Sequence, residues 1–327
     1  MNNQSNLTKS PFIDEPPPLL SIIIPCFNSE DFIVEALESL SVFREIDLEI
    51  VIINDGSSDS TLSKIETFLA NNRSIKCKII NQENMGPSVA RNKGLEIASG
   101  EYLGFLDSDD IFLDNSVNQL LKILSSHQYD IIEFGFIRFN DASKAETQDF
   151  VPQYNLHGEY KVKDIITEIF AKTVWYSPIR IYRRSLWKNI RFDVNLIHSE
   201  DAATVPLIFY NASTIYFINS PIYGYRINKN SITSNHSIEQ HAGIIHLYWI
   251  AKHNEAFDNV FNIRLARTIS HFSFELKIID NDYLEIRNDV SSLKVNMRSL
   301  SRMLLPDLMY YASPKIFDLL NKIRFSL

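Results

Sequence analysis

The sequence predicts an α/β fold in which a mainly parallel central sheet carries helices on both faces and is followed by a mostly helical C-terminal region. Three observations predict it: short apolar runs rich in β-branched residues, amphipathic stretches of helical period between them, and a helical pattern that dominates from about residue 238. Alternating strands and helices join as right-handed βαβ units, which places neighbouring strands in parallel. Ligands of such sheets bind beyond the carboxyl ends of the strands.

Four apolar runs in the first third are predicted to be buried strands, because each is too short and too rich in β-branched residues for a helix. They begin at Leu20, Leu48, Lys76 and Glu101. Between them the apolar residues recur with helical spacing, at 32–40, 62–69 and 89–97. A later run, Tyr129–Phe139, predicts another strand, and the polar stretch 141–153 predicts a loop or a domain seam.

The chain divides into three predicted parts. They are a disordered leader at 1–18, a domain at 19–237 with halves of about 19–125 and 126–237, and a helical region at 238–327. The leader has no apolar core of signal-peptide length, so we expect a cytoplasmic protein. In the last segment, from Arg287, lysine and arginine outnumber aspartate among apolar residues. We interpret this segment as a helical lobe with a solvated face. The alternative is peripheral contact with anionic lipids at the inner face of the membrane.

Composition excludes several classes of function. The net charge of −8 and the pI near 5.5 provide no basic face for nucleic acid, so no nucleic-acid partner is expected. Two cysteines, Cys26 and Cys77, are too few for a disulfide framework or a thiolate metal site, and this agrees with a reducing compartment. The uncharged stretch Ala202–Tyr225 is interrupted by prolines, asparagines and a glycine, which predicts a core segment, since a membrane span needs about 20 mostly apolar residues.

Two acidic turns follow predicted strands. After the second strand, Asn54–Asp59 contains a glycine suited to a tight turn, and Ser58 or Asp59 is placed to cap the next helix. After the fourth strand, Asp107–Asp110 places three carboxylates within four residues, and their mutual repulsion would be relieved by a divalent cation. Oxygen ligands favour Mg²⁺ or Mn²⁺. The alternative is a helix N-cap cluster that precedes Ile111.

A third segment, Asn84–Asn92, lies between the two acidic turns. Its Gly-Pro pair predicts a turn and the start of a helix, and Arg91 falls in the first turns of that helix. The Arg91 guanidinium then either faces the acidic turns and a ligand, or pairs on the surface with Glu83 or Glu96. The residues alone leave both alternatives open.

The order and spacing of these motifs resemble those of glycosyltransferase family 2, whose members have the Rossmann-like GT-A fold. The segments that carry the resemblance are Pro25–Asn28, Asn54–Ser57, Asn84–Asn92, Gly100–Phe105 and Asp107–Asp110. The likeness covers about 19–124 and resumes at 198–201 and 225–232, in a form typical of enzymes that build bacterial surface polysaccharides. Beyond Ser237 no motif is recognised.

The resemblance implies a UDP-sugar donor site. It places Phe27, in the motif that begins at Pro25, against the nucleobase and lets Glu30 help to hold the nucleoside. It assigns Asp55 to the base edge and Arg91 to the same pocket. Two departures are Asn54, where an aspartate is frequent, and Phe27, which replaces a tyrosine and so lacks one hydroxyl.

The resemblance also implies separate roles for the residues of the acidic turn. Asp107 is implied to lie near the ribose, Ser108 near the pyrophosphate, and Asp109 on the Mn²⁺ or Mg²⁺ that bridges the phosphates. His236 is a further candidate for the metal shell.

The resemblance assigns the acceptor side of the site to two neighbouring acidic residues, Glu200 and Asp201. For an inverting reaction the resemblance points to Asp201 as the base, with Glu200 orienting it or the acceptor. His198 is a rival, because imidazole is the commonest general base. The implied reaction is transfer of a hexosyl or N-acetylhexosaminyl group to a hydroxyl of a growing glycan or lipid-linked acceptor, in lipopolysaccharide, capsule or exopolysaccharide synthesis.

Three alternative functions are weighed against this one. A catalytically silent scaffold of a polysaccharide assembly complex would bind the nucleotide sugar without turnover. A sugar-phosphate nucleotidyltransferase would need a glycine-rich basic loop that 20–28 lacks. A dinucleotide-dependent oxidoreductase is disfavoured because the first strand ends without the G-x-G-x-x-G pattern.

Overall fold

The computed structural model describes residues 16–114, 116–140, 150, 154–172, 174–196, 200–227 and 281–290, with scattered positions between 245 and 314. In these residues an α/β sheet is flanked by helices, as predicted. The strands are β1 Leu20–Cys26, β2 Leu48–Asp55, β3 Lys76–Gln82, β4 Tyr102–Phe105, β5 Ile111–Phe112, β6 Ile131–Phe139, β7 Gly158–Lys161, β8 Arg180–Arg183 and β9 Thr214–Arg226. The α-helices are α1 Ile33–Ser39, α2 Thr61–Asn71, α3 Pro87–Ile97, α4 Val117–Leu124, α5 Val162–Lys172, α6 Glu200–Asn211 and α7 Asn281–Val290.

The strand order in the described sheet is β3-β2-β1-β4-β8-β6-β9-β5, and β7 pairs with β9. The pairs among β1 to β4 are parallel, as the alternation of strands and helices predicts. The second half adds an antiparallel strand, β8, between β4 and β6, while β6 and β9 are parallel. The carboxyl ends of β1, β2 and β4 therefore meet at one edge of the sheet.

Both faces of the sheet are covered. Along β1, Ile22 and Ile24 pack into one apolar layer and Ile23 packs into the other. Burial on both faces explains why β1 has a continuous apolar sequence instead of an alternating one. The stretch Ala202–Tyr225 forms most of α6 and β9 and contributes buried residues to the core, as predicted.

One predicted strand differs in its setting. β3 was expected to be buried, but it lies at the end of the strand order, and its side chains are exposed or half-buried. Its lysines pair with the neighbouring strand region, Lys76 with Asp47 at 2.8 Å and Lys78 with Glu49 at 2.5 Å. Charged side chains on an edge strand discourage pairing with another chain.

The helix-cap interpretation of Asp107–Asp110 is wrong. The residues after this turn, Ile111–Phe112, form strand β5 and pair with β9, and the next helix, α4, begins only at Val117. The predicted loop at 141–153 and the helical region after 238 lie largely outside the described residues, although α7 is helical. In the described part of the chain, no helix has the length and apolar character to cross a membrane.

Close packing of α3 on β1 depends on Gly94. A Cβ built there would lie 2.3 Å from Cγ2 of Ile23. We expect Gly94→Ala to lower the free energy of unfolding by about 1–3 kcal/mol, because the helix must shift or Ile23 must leave its rotamer. Urea unfolding measures the change. Lys93→Ala, at the neighbouring position, removes only a side chain that is 43% exposed and its surface ion pair with Glu96, so it should change stability by about 0.5 kcal/mol or less. Equal stability of the Gly94 variant and the wild type would contradict the packing of α3 on β1.

Candidate active site

Three loops meet where β1, β2 and β4 end. Asn28 donates its backbone N–H to Ser57 Oγ at 3.0 Å and accepts the N–H of Ser58 on its side-chain oxygen at 2.8 Å. Ser29 Oγ lies 2.6 Å from Ser108 Oγ. The turn after β1 thus joins the two acidic turns, and the sequence-predicted segments converge on one site.

The first of these loops presents an aromatic ring. Phe27 follows β1, and its side chain is 46% exposed. Glu30 accepts the N–H of Ser60 at 3.0 Å, and its own N–H donates to Asp59 at 3.1 Å. Glu30 is therefore held against the turn after β2, three residues after Phe27. Pro25 is the last but one residue of β1.

Asp55 has a structural role that the sequence did not predict. Its carboxylate is buried at the end of β2 and accepts hydrogen bonds from Gln82 Nε2 at 2.8 Å, Met85 N–H at 2.9 Å and Gly86 N–H at 2.8 Å. These bonds hold the loop that leads into α3. Asp55 thereby sets where α3 begins and where its first turns point.

Arg91 is buried between two carboxylates. Its side chain is 7% exposed, and Nη2 lies 2.9 Å from Asp107 Oδ1 while Nη1 lies 2.5 Å from Glu200 Oε1. Burial lowers the pKa of the Arg91 guanidinium, but Asp107 and Glu200 raise it by more, above its ordinary value. The alternative of a surface pair with Glu83 or Glu96 is therefore wrong, and Arg91 links the acidic turn to the start of α6.

The three carboxylates of the acidic turn have different surroundings. Asp110 is 1% exposed and accepts hydrogen bonds from Tyr223 Oη at 2.6 Å and Arg226 N–H at 2.7 Å. Asp107 is one-third exposed and faces Arg91. Burial and the charge of Asp107 raise the pKa of Asp109 to about 6. Asp110 shapes the turn, and the other two carboxylates remain at the site.

Asp107 and Asp109 fit the needs of a divalent cation. Mg²⁺ and Mn²⁺ typically take one or two protein carboxylates and complete their shell with substrate phosphates and water. Burial and, after it, the charge of Asp107 raise the pKa of Asp109, and a bound cation would stabilise the ionised form of this carboxylate. Within the described residues no group of three His, Cys, Asp or Glu side chains forms a ready-made metal cage. His236 lies outside the described residues.

Asp201 occupies the first turn of α6 and is held by Ser177. Ser177 donates both its hydroxyl and its backbone N–H to the two carboxylate oxygens, the latter at 3.2 Å. Burial raises the pKa of Asp201 to about 7, Arg91 opposes that shift, and Glu200 adds to it. A carboxylate with a pKa near neutrality suits a general base. No sequence motif indicated Ser177, and His198 lies outside the described residues.

A buried ion pair fixes the segment that contains Ser177. Arg180 and Glu133 are almost wholly buried, with Nε and Oε2 2.7 Å apart. Arg180 uses its two terminal nitrogens on the carbonyl oxygens of Tyr176 at 2.8 Å and Val174 at 2.6 Å. These two hydrogen bonds fix the backbone between Val174 and Ser177. The backbone N–H and the hydroxyl of Ser177 are thereby held within reach of Asp201.

Comparison with known sequences agrees with this geometry. The sequence model described as Glycosyl transferase family 2 matches residues 21–190, about half of the chain. Among curated relatives from Bacillus subtilis, the uncharacterized glycosyltransferase EpsJ is 31% identical over 66% of this chain, and the putative glycosyltransferase EpsH is 30% identical over 67%. The matched regions span 63% and 64% of those relatives, which is less than two thirds of their lengths.

Solved structures of similar shape confirm the GT-A fold. Residues 1–349 of TarS from S. aureus, in complex with UDP-GlcNAc, superpose with a TM-score of 0.67 at 21% identity, covering 94% of this chain and 90% of that one. The mannosyltransferase PcManGT from Pyrobaculum calidifontis, in complex with GDP-Man and Mn²⁺, has a TM-score of 0.55 at 14% identity, with 95% and 90% covered. The structures show the fold, and the match of the family model over half of the chain shows that the chain belongs to glycosyl transferase family 2.

Proposed function

We propose that the chain is a metal-dependent, inverting glycosyltransferase. It moves a sugar from a UDP-sugar to a hydroxyl of a glycan or lipid-linked acceptor in bacterial surface-polysaccharide synthesis. The observation that carries the proposal is Arg91, which joins Asp107 of the acidic turn to Glu200, the residue next to Asp201. A donor-binding turn and a general base are thereby held side by side. Family membership and the UDP-GlcNAc complex of the similar TarS structure support it.

On the donor side, the exposed ring of Phe27 stacks on the uracil, and Glu30 holds the nucleoside from the adjacent turn. Asp55 accepts three hydrogen bonds from the chain, and a carboxylate has about four lone-pair sites, so capacity for one N–H of the base edge remains. Ser108 is fixed by Ser29 beside the place of the phosphates.

The diphosphate lies at the acidic turn. Asp109 is the proposed metal ligand, and Asp107, aligned by Arg91, lies next to the ribose. When bound, Mn²⁺ or Mg²⁺ supplies positive charge that stabilises the leaving diphosphate. The backbone around Asp109 is held in place, because Arg226 Nε donates to its carbonyl oxygen at 2.7 Å.

On the acceptor side, Asp201 takes the proton of the attacking hydroxyl. The hydroxyl oxygen forms a bond to the anomeric carbon as the bond to the diphosphate oxygen breaks, and UDP leaves with that electron pair. Ser177 orients the Asp201 carboxylate with two hydrogen bonds. Arg91 pairs with Glu200 and opposes the rise in the pKa of Asp201, to which burial and the charge of Glu200 contribute.

A screen of nucleotide sugars tests the function directly. UDP-sugars and GDP-sugars with Mn²⁺ are first ranked by the rise in melting temperature, since a ligand that binds only the folded state stabilises it. Nucleotide release from the best donor is then measured with and without a glycan acceptor. Stabilisation by UDP-sugars followed by acceptor-dependent UDP release supports the proposal. Binding without release in any acceptor would instead identify a silent scaffold.

The Phe27 ring provides a prediction for the donor side. We expect Phe27→Ala to weaken UDP binding by about 1–3 kcal/mol, because stacking of one base on one aromatic ring contributes that much. Isothermal titration with UDP measures the loss. Phe27→Tyr, which keeps the ring face, serves as the matched control and should bind at least as well as the wild type. Equal UDP affinity of the alanine variant would remove Phe27 from the site.

A further inference from the structure

Three partly exposed aromatic side chains pack on one another and are here called the aromatic platform. They are Phe136 of β6, Tyr225 of β9, and Tyr176, which lies between α5 and β8 and directly precedes Ser177. The ring of Tyr176 lies 5.7 Å from that of Phe136 at 74° and 6.4 Å from that of Tyr225 at 36°. Phe136 and Tyr225 are 6.5 Å apart. The three rings are therefore mutually packed, and Phe136 and Tyr225 also pack against the core beneath them.

The exposed part of the platform is the ring of Tyr176, which is 43% exposed, while Phe136 and Tyr225 are half-buried. The backbone of Tyr176 is held in place, because its carbonyl oxygen accepts a hydrogen bond from the buried Arg180. Contiguous apolar surface of this kind marks binding sites when it is large enough to receive a partner or ligand. Nothing in the donor-binding or base-forming contacts described above uses the faces of these rings.

The platform lies between the base and the acidic turn. Tyr176 immediately precedes Ser177, which holds Asp201. Tyr225 immediately precedes Arg226, whose N–H donates to Asp110 at 2.7 Å. The backbone of the platform therefore adjoins the residues that hold Asp201 and Asp110, and a molecule on its rings would lie near the proposed base and the proposed metal turn.

An arginine side chain lies at the edge of the platform. Arg138 is exposed on β6, two residues after Phe136, and lies opposite Tyr225 in the pairing of β6 with β9. Arg138 also interacts with Tyr176, where it opposes the rise in the pKa of the phenol that burial causes. The surface thus combines apolar ring faces with hydrogen-bond donors at the edge.

We propose that the aromatic platform is the acceptor subsite and that it binds a pyranose ring. A pyranose presents a patch of C–H groups that packs on an aromatic face and a rim of hydroxyls that bond to polar groups, here Arg138 and the phenols. An acyclic polyol phosphate has no comparable flat apolar face. The inference rests on the proposed function and adds to it that the accepting end is a cyclic sugar.

Saturation-transfer NMR with saturating UDP and Mg²⁺ tests the platform. The probes are methyl β-D-glucopyranoside and methyl 2-acetamido-2-deoxy-β-D-glucopyranoside, with ribitol 5-phosphate as the acyclic comparison. We expect the ring C–H protons of at least one pyranoside to be saturated by the wild type. Tyr176→Ala should lose this signal and Tyr176→Phe should keep it, while both bind UDP with wild-type affinity, which also shows that they are folded.

Phe27→Ala is the reciprocal control and should weaken UDP binding but keep saturation of the pyranoside at raised UDP concentration. Saturation that survives Tyr176→Ala, or ribitol 5-phosphate saturated as strongly as both pyranosides, would overturn the inference. If the wild type binds UDP but saturates no pyranoside, the platform inference is wrong and the proposed function stands. If it binds no UDP, the proposed function itself is wrong, and the platform inference is overturned with it.

Discussion

Replacement of Asp201 by asparagine is expected to slow sugar transfer by roughly 10²- to 10⁴-fold, the usual contribution of a general base. Asparagine keeps the size of the side chain and an acceptor oxygen for Ser177, but it cannot take the proton of the acceptor hydroxyl. UDP affinity should change little, because Asp201 contacts neither Phe27 nor the acidic turn directly. Initial rates of UDP release with acceptor, set beside calorimetric UDP titration, measure the two effects separately.

The same residue sets the expected pH dependence. The pKa of Asp201 is raised to about 7, so the carboxylate is protonated and inactive as a base below that pH and ionised above it. The charged, titratable and hydrogen-bonding groups around it are Arg91 from α3, Glu200 from α6, Asp107 from the acidic turn, and Ser177, Tyr176 and Tyr182 from the 174–183 segment. The transfer rate at saturating substrates should therefore fall by about tenfold per pH unit below about pH 7.

Two variants separate catalysis from structure at Asp201. Ser177→Ala removes the hydroxyl donor and keeps the backbone N–H, so a smaller loss of rate with a shifted pH profile is expected. The asparagine variant should lose the fall in rate that begins near pH 7, because the group that titrates there is absent. Normal turnover of Asp201→Asn, or a pH profile identical to that of the wild type, would assign the base to another residue.

Asp109→Asn is expected to abolish the dependence of UDP binding on Mn²⁺. Asparagine replaces a half-buried carboxylate whose pKa is raised to about 6 by burial and by Asp107. Its neutral amide oxygen binds a hard cation more weakly than a charged carboxylate does. Loss of the metal's charge stabilisation is worth several kcal/mol, so transfer should fall to background. Calorimetric titration of UDP with and without Mn²⁺ provides the measurement.

Asp114→Asn is the matched control for the metal turn, since Asp114 is an exposed aspartate four residues after Asp110. Its UDP affinity should keep the full response to Mn²⁺. Asp110→Asn should behave differently from both, because it perturbs hydrogen bonds from Tyr223 and Arg226 and is expected to lower stability. A metal response that survives in the Asp109 variant would move the cation to a different ligand.

The sequence predicted most of the secondary structure of residues 19–125, the half that we propose binds the donor. β1, β2 and β4, the helices between the strands, and the two acidic turns follow from local patterns, because an apolar run or a turn motif lies within about ten residues of chain. The sequence also placed Arg91 in the first turns of α3, although it left the partner open. Burial decided that question, since the side chain of Arg91 is only 7% exposed and lies between Asp107 and Glu200.

The strand β8 and the role of Ser177, in the half that we propose binds the acceptor, could not be predicted in the same way. β8 is a four-residue strand, Arg180–Arg183, with arginine at both ends, so it has no apolar run, yet it lies in the middle of the sheet because Glu133 pairs with Arg180. Ser177 belongs to no motif. Its role depends on a contact with Asp201, 24 residues away, and such contacts leave no local periodicity in the sequence.

The hydrogen bonds of Arg226 have a consequence for how the chain folds during its synthesis. Arg226 is the last residue of β9, and it bonds to Asp110, to the carbonyl oxygen of Asp109 and to Glu35 of α1, residues that are synthesised 116 to 191 positions earlier. Contacts so distant in sequence form late in folding. A nascent chain that has completed its first four strands therefore still lacks the support of its acidic turn. We expect the growing polypeptide to acquire donor binding only after β9 has emerged from the ribosome, so that nucleotide sugar is not engaged before the acceptor side exists.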